Sequence, residues 1–328
     1  MLADVVYSHV KPMQKFGGIV PEIASREHLK ALPLAVHEAC QKAKVTLPEI
    51  DHLAVTNRPG LIGALLVGVS FTKGLAFALK KPFTTLHHLE AHLFSPLLAE
   101  WEGKGVPPFP WIALVVSGGH TELFQVDDIL EYRWLGGTLD DAAGEAFDKI
   151  GKLLGFPYPA GPEIDRWVGQ NAKDSDRNQY RFPRAKTPEF HFSFSGLKTA
   201  VANAINSGGK ILNDQRLAIA ASAQEAILDA LEEKLEQARL KLSISTVVVT
   251  GGVACNSRFR EKLPNAYFPK PQHCTDNAAM VALLADLHAR KGTLVPSSWE
   301  TTAVASAGLS YRIENSSKVF TGESTPPS

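Results

Sequence analysis

Trp111-Ile112-Ala113-Leu114-Val115-Val116-Ser117-Gly118-Gly119-His120-Thr121-Glu122-Leu123-Phe124-Gln125-Val126 reads as a strand, a tight turn and a returning strand. Six consecutive apolar residues, Trp111 to Val116, mark a strand buried on both faces. Gly118 and Gly119 let the chain reverse, and their bare backbone lets amides approach an anion while Ser117 and Thr121 add hydroxyl donors. Hairpins of this kind grip phosphate in several nucleotide-binding folds. They are also common without function, so the rest of the chain has to decide. A second apolar, β-branched stretch, residues 246–249, runs into Thr250-Gly251-Gly252-Val253-Ala254-Cys255-Asn256 before a helix over 257–263. That is another Gly-Gly turn at the carboxyl end of a strand, suited to a nucleoside held over it with Asn256 as polar reader.

The front half offers Leu86-His87-His88-Leu89-Glu90-Ala91-His92. An apolar run over 82–86 ends a strand, and a helix opening at this corner stacks His88 and His92 one turn apart on one face. Two imidazoles so spaced grip a divalent metal; they also suit a half-buried pair with ordinary hydrogen bonds, and a third ligand must discriminate. The order His-Leu-Glu-Ala-His is not the protease order H-E-x-x-H. Late in the chain, Cys274-Thr275-Asp276-Asn277 precedes a helix over 278–291. Asp276 there is either a carboxylate ligand or a plain N-cap.

Thr138-Leu139-Asp140-Asp141 has the composition of a helix start, with Thr138 capping and the acids in the first turn. Glu145 and Asp148 follow about one turn apart, as ribose ligands or as a solvated face. Residues 151–162 bend around Tyr158, and Asp165 stands four after Gly161. The segment 173–186 interleaves Arg177, Arg181, Arg184 and Lys186 with Tyr180 and Phe182, which suits either nucleic acid or a solvated loop. Residues 2–8 look like a strand, 21–44 like a helix, 52–55 like a strand, and 214–240 like a long amphipathic helix. Residues 61–79 form a helix rich in small residues, expected to be buried against a sheet. Its apolar run, 59–72, stops at Lys73, too short for a membrane span. A Pro-rich break at 103–110 divides the chain into 1–109 and 110–312, with the late helix packing back on the first part and 313–328 as a flexible tail.

With 328 residues, two domains fit. Lys plus Arg and Asp plus Glu both number 34, so the global basic excess of a typical nucleic-acid binder is missing, and such binding must be local or shared. Three cysteines, Cys40, Cys255 and Cys274, make no disulfide framework or paired metal spacing. The start has no basic leader, and a reducing, cytoplasmic setting without membrane attachment is the simplest expectation.

Taken together, the His pair, the two Gly-Gly turns and the lone Asp before a late helix resemble the tRNA threonylcarbamoyladenosine synthesis family of the TsaD type. The resemblance is carried by Gly17-Gly18-Ile19-Val20-Pro21-Glu22-Ile23-Ala24-Ser25-Arg26, His88-Leu89-Glu90-Ala91-His92, Val116-Ser117-Gly118-Gly119-His120-Thr121, Asp140-Asp141-Ala142-Ala143-Gly144-Glu145-Ala146-Phe147-Asp148-Lys149, Phe194-Ser195-Gly196-Leu197-Lys198-Thr199 and Cys274-Thr275-Asp276-Asn277-Ala278. It implies an α/β, two-domain actin-like and sugar-kinase-like ATPase (ASKHA) fold with a cleft between the domains. It implies that His88, His92 and Asp276 hold a divalent metal, Fe(2+) before Zn(2+). Val115, Val116, Ser117, Gly118 and Gly119 would then cradle the phosphate or acyl-phosphate, and Asp148, Gly161, Asp165 and Asn256 the nucleotide part of the donor.

The implied reaction moves the threonylcarbamoyl group of threonylcarbamoyl-AMP to the N(6) amine of the adenosine beside the anticodon, in tRNAs reading codons that begin with adenine. The implied partners are tRNA, threonylcarbamoyl-AMP or ATP, a same-fold TsaB-type subunit and a small TsaE-type ATPase. Two departures stand out. Family members open with a strand and a first phosphate loop that precede the counterpart of Met1, so the first sheet is expected to lack its central strand and expose its edges. This admits a misassigned start, or a scaffold subunit of the same complex that is non-catalytic and deficient in nucleotide binding. Arg58 in Thr56-Asn57-Arg58-Pro59-Gly60-Leu61 stands where the family has glycine; a left-handed φ there would cost about 1 kcal/mol or more.

Overall fold

The computed structural model describes residues 1–8, 13–206 and 213–309. Helix α1 (Pro21–Ala43) starts with Pro21 in its first turn, where the missing N–H costs nothing, and ends at Lys44 in the left-handed conformation. Strands β1 (Leu53–Arg58) and β2 (Phe83–His87) pair in parallel across helix α2 (Ile62–Leu79). Helix α3 (His88–Phe94) follows β2 without a loop.

The second sheet has the order β5-β4-β3-β6, built from β3 (Trp111–Val116), β4 (Thr121–Asp128), β5 (Glu131–Gly137) and β6 (Thr246–Thr250). β3 is antiparallel to β4 and parallel to β6, with Val115 opposite Thr250. The helices around it are α4 (Ala143–Leu153), α5 (Ala160–Asn171), α6 (Ser195–Asn206), α7 (Asn213–Leu242), α8 (Ser257–Lys262) and α9 (Ala278–Arg290). Alternation along β3 sorts its side chains into two cores. Ile112, Leu114 and Val116 face α4 and α7, whereas Trp111, Ala113 and Val115 face Leu89 and Leu93 of α3 and Met280 and Leu284 of α9. The segment after α9 returns to the first sheet, where Ser297 N–H donates to the Phe83 carbonyl at 2.7 Å and Val304 N–H to the Asn57 carbonyl at 2.8 Å.

Several expectations are corrected. Residues 2–8 form no strand, since no described segment pairs with them; instead the Tyr7 hydroxyl donates to Glu38 of α1 at 2.9 Å. α2 is not a buried helix. It continues through Lys73, whose ammonium donates to the Trp299 carbonyl at 2.6 Å, and it is the one helix among the described residues long and apolar enough to cross a membrane. Its small-residue face packs on α1 and β1, but it has more apolar residues than one contact face can cover, and Phe77 remains 76% exposed.

Arg58 is not left-handed. It closes β1 opposite His87 and donates to the Asn57 side chain at 2.8 Å, so the feared strain is absent. Helix α4 begins at Ala143, not at Thr138, because the Thr121 hydroxyl, 22 residues back, accepts the Ala143 N–H at 2.9 Å. Asp140 instead accepts from Phe194 N–H at 2.8 Å, and Asp141 pairs with Lys149 at 2.6 Å and with Lys198. These contacts lock the start of α6 to α4. In the basic stretch 173–186, Arg177 reaches Glu225 at 3.4 Å and Arg184 Nε reaches Asp229 at 3.1 Å, both on α7, whereas Arg181 and Lys186 stay exposed. Tyr180 stacks on the buried Phe182. The tail 313–328 lies outside the described residues.

Candidate metal centre and donor cleft

His87 sets the corner. Its Nδ1 accepts the Leu89 N–H at 3.2 Å and caps α3, which leaves the proton on Nε2 for the Ala307 carbonyl at 3.2 Å. Burial, helped by the nearby Arg58, pulls this imidazole down to about 4 and keeps it neutral. The cap fixes the first turn of α3, so His88 and His92 project together with ring centroids 4.6 Å apart.

Asp276 meets them from the far end of the chain. Its Oδ1 lies 3.4 Å from His88 Nε2 and 3.1 Å from His92 Nε2. The sequence left open whether Asp276 is merely the cap of α9. Asn277 does that work, accepting the Met280 N–H at 2.8 Å, and the Asp276 carboxylate is free to face the histidines. Burial alone would raise this carboxyl; hydrogen bonds and charge from His88 and His92 outweigh it and hold it well below the usual range. The carboxylate surface is nonetheless open to water, so the group sits in a recess ringed by protein but not sealed. His92 is buried and its imidazole is pulled down by that burial, partly offset by Asp276. Its Nδ1 is buried with no partner among the described residues.

The donor set fits a divalent ion. The ligating atoms of His88, His92 and Asp276 all lie within 4.8 Å of one another. Two ligands each bonded at about 2.0–2.2 Å to one ion stand roughly 3.0–3.5 Å apart at octahedral or tetrahedral angles. The observed separations of 3.1 and 3.4 Å are of that size. Two imidazoles and one carboxylate with the remaining positions open suit iron or zinc.

His120 is a neighbour that sequence reading passed over, although it stands directly after Gly119. Its ring lies 6.5 Å from that of His88. Burial pulls it down to about 4, with His88 and His92 adding to the effect.

The Gly-Gly turns lie side by side at the carboxyl edge of the second sheet, because β3 and β6 are parallel neighbours. Sequence reading found both turns but not their adjacency. In the first, the Ser117 hydroxyl accepts the Gly119 and His120 amides at 3.3 and 3.1 Å. A Cβ built on Gly118 or Gly119 meets nothing within 4 Å, so these two residues open onto free space beyond Ser117, whereas Val115 and Val116 are fully buried within β3. Gly144, at the start of α4, is required by packing: a Cβ there would stand 2.5 Å from the Ser117 carbonyl oxygen and 2.8 Å from Gly118 Cα. In the second turn Gly251 has φ +93° and abuts the Val116 carbonyl. The Thr250 hydroxyl donates to the buried His92 carbonyl at 3.0 Å, tying β6 to α3.

The remaining candidates form one contiguous patch. Asp148 accepts the Ala160 N–H at 2.7 Å and bonds the Gly161 amide. Its carboxyl is raised by burial, against the pull of those amides. From the same helix α5, Asp165 accepts the Ser257 N–H at 2.9 Å and its hydroxyl at 3.0 Å. Asn256 caps α8 through the Phe259 N–H at 2.9 Å and donates to Gln224 at 3.4 Å. Glu145 stands apart, paired with Lys149 at 2.7 Å.

Two α/β layers with glycine turns at adjoining strand ends, and a metal-competent triad beside them, define a protein of the actin-like, ASKHA class. Among solved structures, the chain resembles the crystal structure of T. kodakarensis HypF with a TM-score of 0.58 at 13% identity, covering 82% of this chain and 44% of that one. It likewise resembles full-length HypF in its phosphate- and nucleotide-bound form, with a TM-score of 0.55 at 14% identity, covering 78% of this chain and 48% of that one. These likenesses concern the fold alone.

Sequence comparison is more specific. The model of the TsaD family, tRNA N6-adenosine threonylcarbamoyltransferase, matches residues 1–283. The enzyme of that name from Fervidobacterium nodosum is 46% identical over 294 residues, covering 86% of this chain and 85% of the relative. That from Geobacter sulfurreducens is 46% identical over 300 residues, covering 89% and 86%. The chain belongs to the tRNA N6-adenosine threonylcarbamoyltransferase family.

Proposed function

We propose that this chain is a transferase that moves the threonylcarbamoyl group from threonylcarbamoyl-AMP to the N(6) amine of the adenosine beside the anticodon, in tRNAs reading codons that begin with adenine. The observation that carries the reading is the convergence of His88 and His92 with Asp276, 184 residues further on, at 3.4 and 3.1 Å. In this reading they hold one divalent ion, Fe(2+) in preference to Zn(2+), the two-histidine, one-carboxylate set with open positions being typical of ferrous sites. When bound, the ion supplies Lewis-acid polarisation of the donor's carbamoyl and carboxylate oxygens.

The rest falls to the chain itself. The turn Ser117-Gly118-Gly119, carried at the end of β3 by the buried Val115 and Val116, takes the acyl-phosphate, its backbone dipoles offsetting the negative charge. Asp148, Gly161, Asp165 and Asn256 take the nucleoside, and positioning there converts a bimolecular encounter into an oriented one. The adenosine amine attacks the carbamoyl carbon, the bond from that carbon to the phosphate oxygen breaks, AMP leaves with the electron pair, and one amine proton is released.

A same-fold TsaB-type subunit and a TsaE-type ATPase complete the assembly in this reading. It is supported by the balanced charge of the chain, which leaves tRNA binding to be shared, and by the apolar residues Leu29, Leu34, Leu66 and Phe77 exposed on α1 and α2. The test is His92→Ala in a reconstituted tRNA modification assay with metal analysis. Loss of both bound metal and modified tRNA is expected; unchanged metal content rejects the ligand set, and unchanged modification rejects its role.

A further inference from the structure

Two of the three cysteines lie on the two turns that carry site residues. Cys255 directly precedes Asn256, and Cys274 stands two residues before Asp276. The turn Gly252–Cys255 packs on the short helical turn Pro271–Cys274. Cys255 Sγ donates to the Pro271 carbonyl at 3.5 Å and Cys274 Sγ to the Pro269 carbonyl at 3.4 Å, so both thiols lie against the same short segment. Arg260 holds the two turns in register. Its Nε donates to the Ala254 carbonyl at 2.8 Å, its Nη2 donates to the Pro269 carbonyl at 3.0 Å, and the same Nη2 lies 3.5 Å from Cys274 Sγ. The guanidinium is itself steadied over the Phe268 ring at 4.7 Å. The transfer reaction uses neither sulfur.

We propose that Cys255 and Cys274 form a redox modification site, a dithiol that closes to a disulfide in exchange with a low-molecular-weight disulfide and so ties the Asn256 turn to the Asp276 turn. Cys274 is buried and Cys255 is only partly so, which makes Cys255 the sulfur an oxidant meets first. The hydrogen bond from Cys274, with help from the Arg260 charge and against burial, draws the Cys255 thiol down to about 7, so the nucleophilic thiolate is populated at neutral pH.

The chemistry balances without a further reagent. Cys255 attacks one sulfur of the small disulfide, its S–S bond breaks and one small thiol leaves. Cys274 then attacks the Cys255 sulfur, the mixed disulfide breaks and the second small thiol leaves with the Cys274 proton. Two protein thiols are oxidised and one small disulfide is reduced to two thiols. A disulfide holds its Cβ atoms at about 3.8 Å, so closure fixes the spacing of the two turns. The bond itself follows from the packing of the turns; its effect on transfer rests on the function proposed above.

The test equilibrates the full chain in mixtures of reduced and oxidised glutathione, blocks free thiols with N-ethylmaleimide and maps the peptides by mass spectrometry without reduction. A linked Cys255–Cys274 peptide pair is expected, reversed by dithiothreitol and absent from Cys255→Ser, with Cys40 still alkylated. Cys255 trapped only as a glutathione adduct, or left fully alkylated, overturns the proposal. This readout needs no tRNA, donor or metal, so its failure is separate from failure of the transferase reading. In the reconstituted assay the oxidised chain is expected to lose about tenfold to a hundredfold in rate through misplacement of the site. Cys255→Ser is expected to keep the reduced rate and ignore oxidised glutathione. An oxidised, linked chain at full rate overturns the coupling to the site.

Discussion

Gly251→Ala tests whether the adjoining glycine turns are built by packing. Gly251 has φ +93°, and a Cβ there would stand 2.7 Å from Val116 C and 3.0 Å from Val116 N, and nearer still to its carbonyl oxygen. All three are backbone atoms of the central strand, so relief requires moving β3 itself. A left-handed alanine costs about 1–2 kcal/mol, and forcing extra volume into a packed site about 1–3 kcal/mol. The sum of about 2–5 kcal/mol, at roughly 2–4 °C per kcal/mol for a chain of this size, lowers Tm by roughly 4–20 °C. Gly252→Ala is the matched control, because its Cβ meets nothing within 4 Å and its φ is not left-handed. It is expected to melt with the parent and to bind a non-hydrolysable adenylate analogue more weakly, since its methyl projects into the space over the turn. Scanning calorimetry measures the first effect and isothermal titration the second. A Gly251→Ala chain that melts within about 1 °C of the parent, or a Gly252→Ala chain that is the less stable of the two, refutes the reasoning.

Other outcomes follow from the same geometry. Asn277→Ala removes the cap of α9 and is expected to cost about 1 kcal/mol while releasing Asp276 and lowering metal retention; a melt and metal analysis matching the parent would show that the cap does not position the ligand. In the metal-free chain His87 titrates near 4 when folded against 6.5 when free. The unfolded chain therefore binds more protons across that interval, and stability, complete above pH 6.5, declines as pH falls toward 4, by about 3 kcal/mol. His87→Gln should flatten that part of a denaturation-versus-pH curve, and an unchanged slope would clear His87 of the role. Arg177→Ala and Arg184→Ala are expected to lower stability by about 1 kcal/mol each and to leave the salt dependence of tRNA binding unaltered; a shallower salt slope would place these two arginines on the nucleic-acid surface.

The pairing of His88 and His92 was legible because helical spacing alone places them on one face, and both glycine turns because strand and turn composition is local. Asp276 was legible only through family resemblance: a carboxylate before a helix is more often a cap, and nothing local reveals that Asn277 takes the capping. Asp140 and Asp141 were misread as first-turn acids because the true cap, Thr121, is remote in sequence and supplied by the adjacent strand. For the stretch 173–186, composition gave the charge but not the carboxylates of α7 that engage Arg177 and Arg184. The openness of α2 was illegible because an apolar helix looks the same whether its neighbours cover one face or all.

Helices α3 and α9 share one apolar core with β3; α3 carries His88 and His92, and Asp276 and Asn277 directly precede α9. The ligands are thus mounted on a single wall of the cleft, not across its mouth. In the proposed function, traffic of nucleotide and tRNA over the glycine turns would leave that wall intact. Because the Asp276 carboxylate stays open to water, a chelator would reach the proposed centre from that side without opening the core, so the rate of demetallation should rise with chelator concentration.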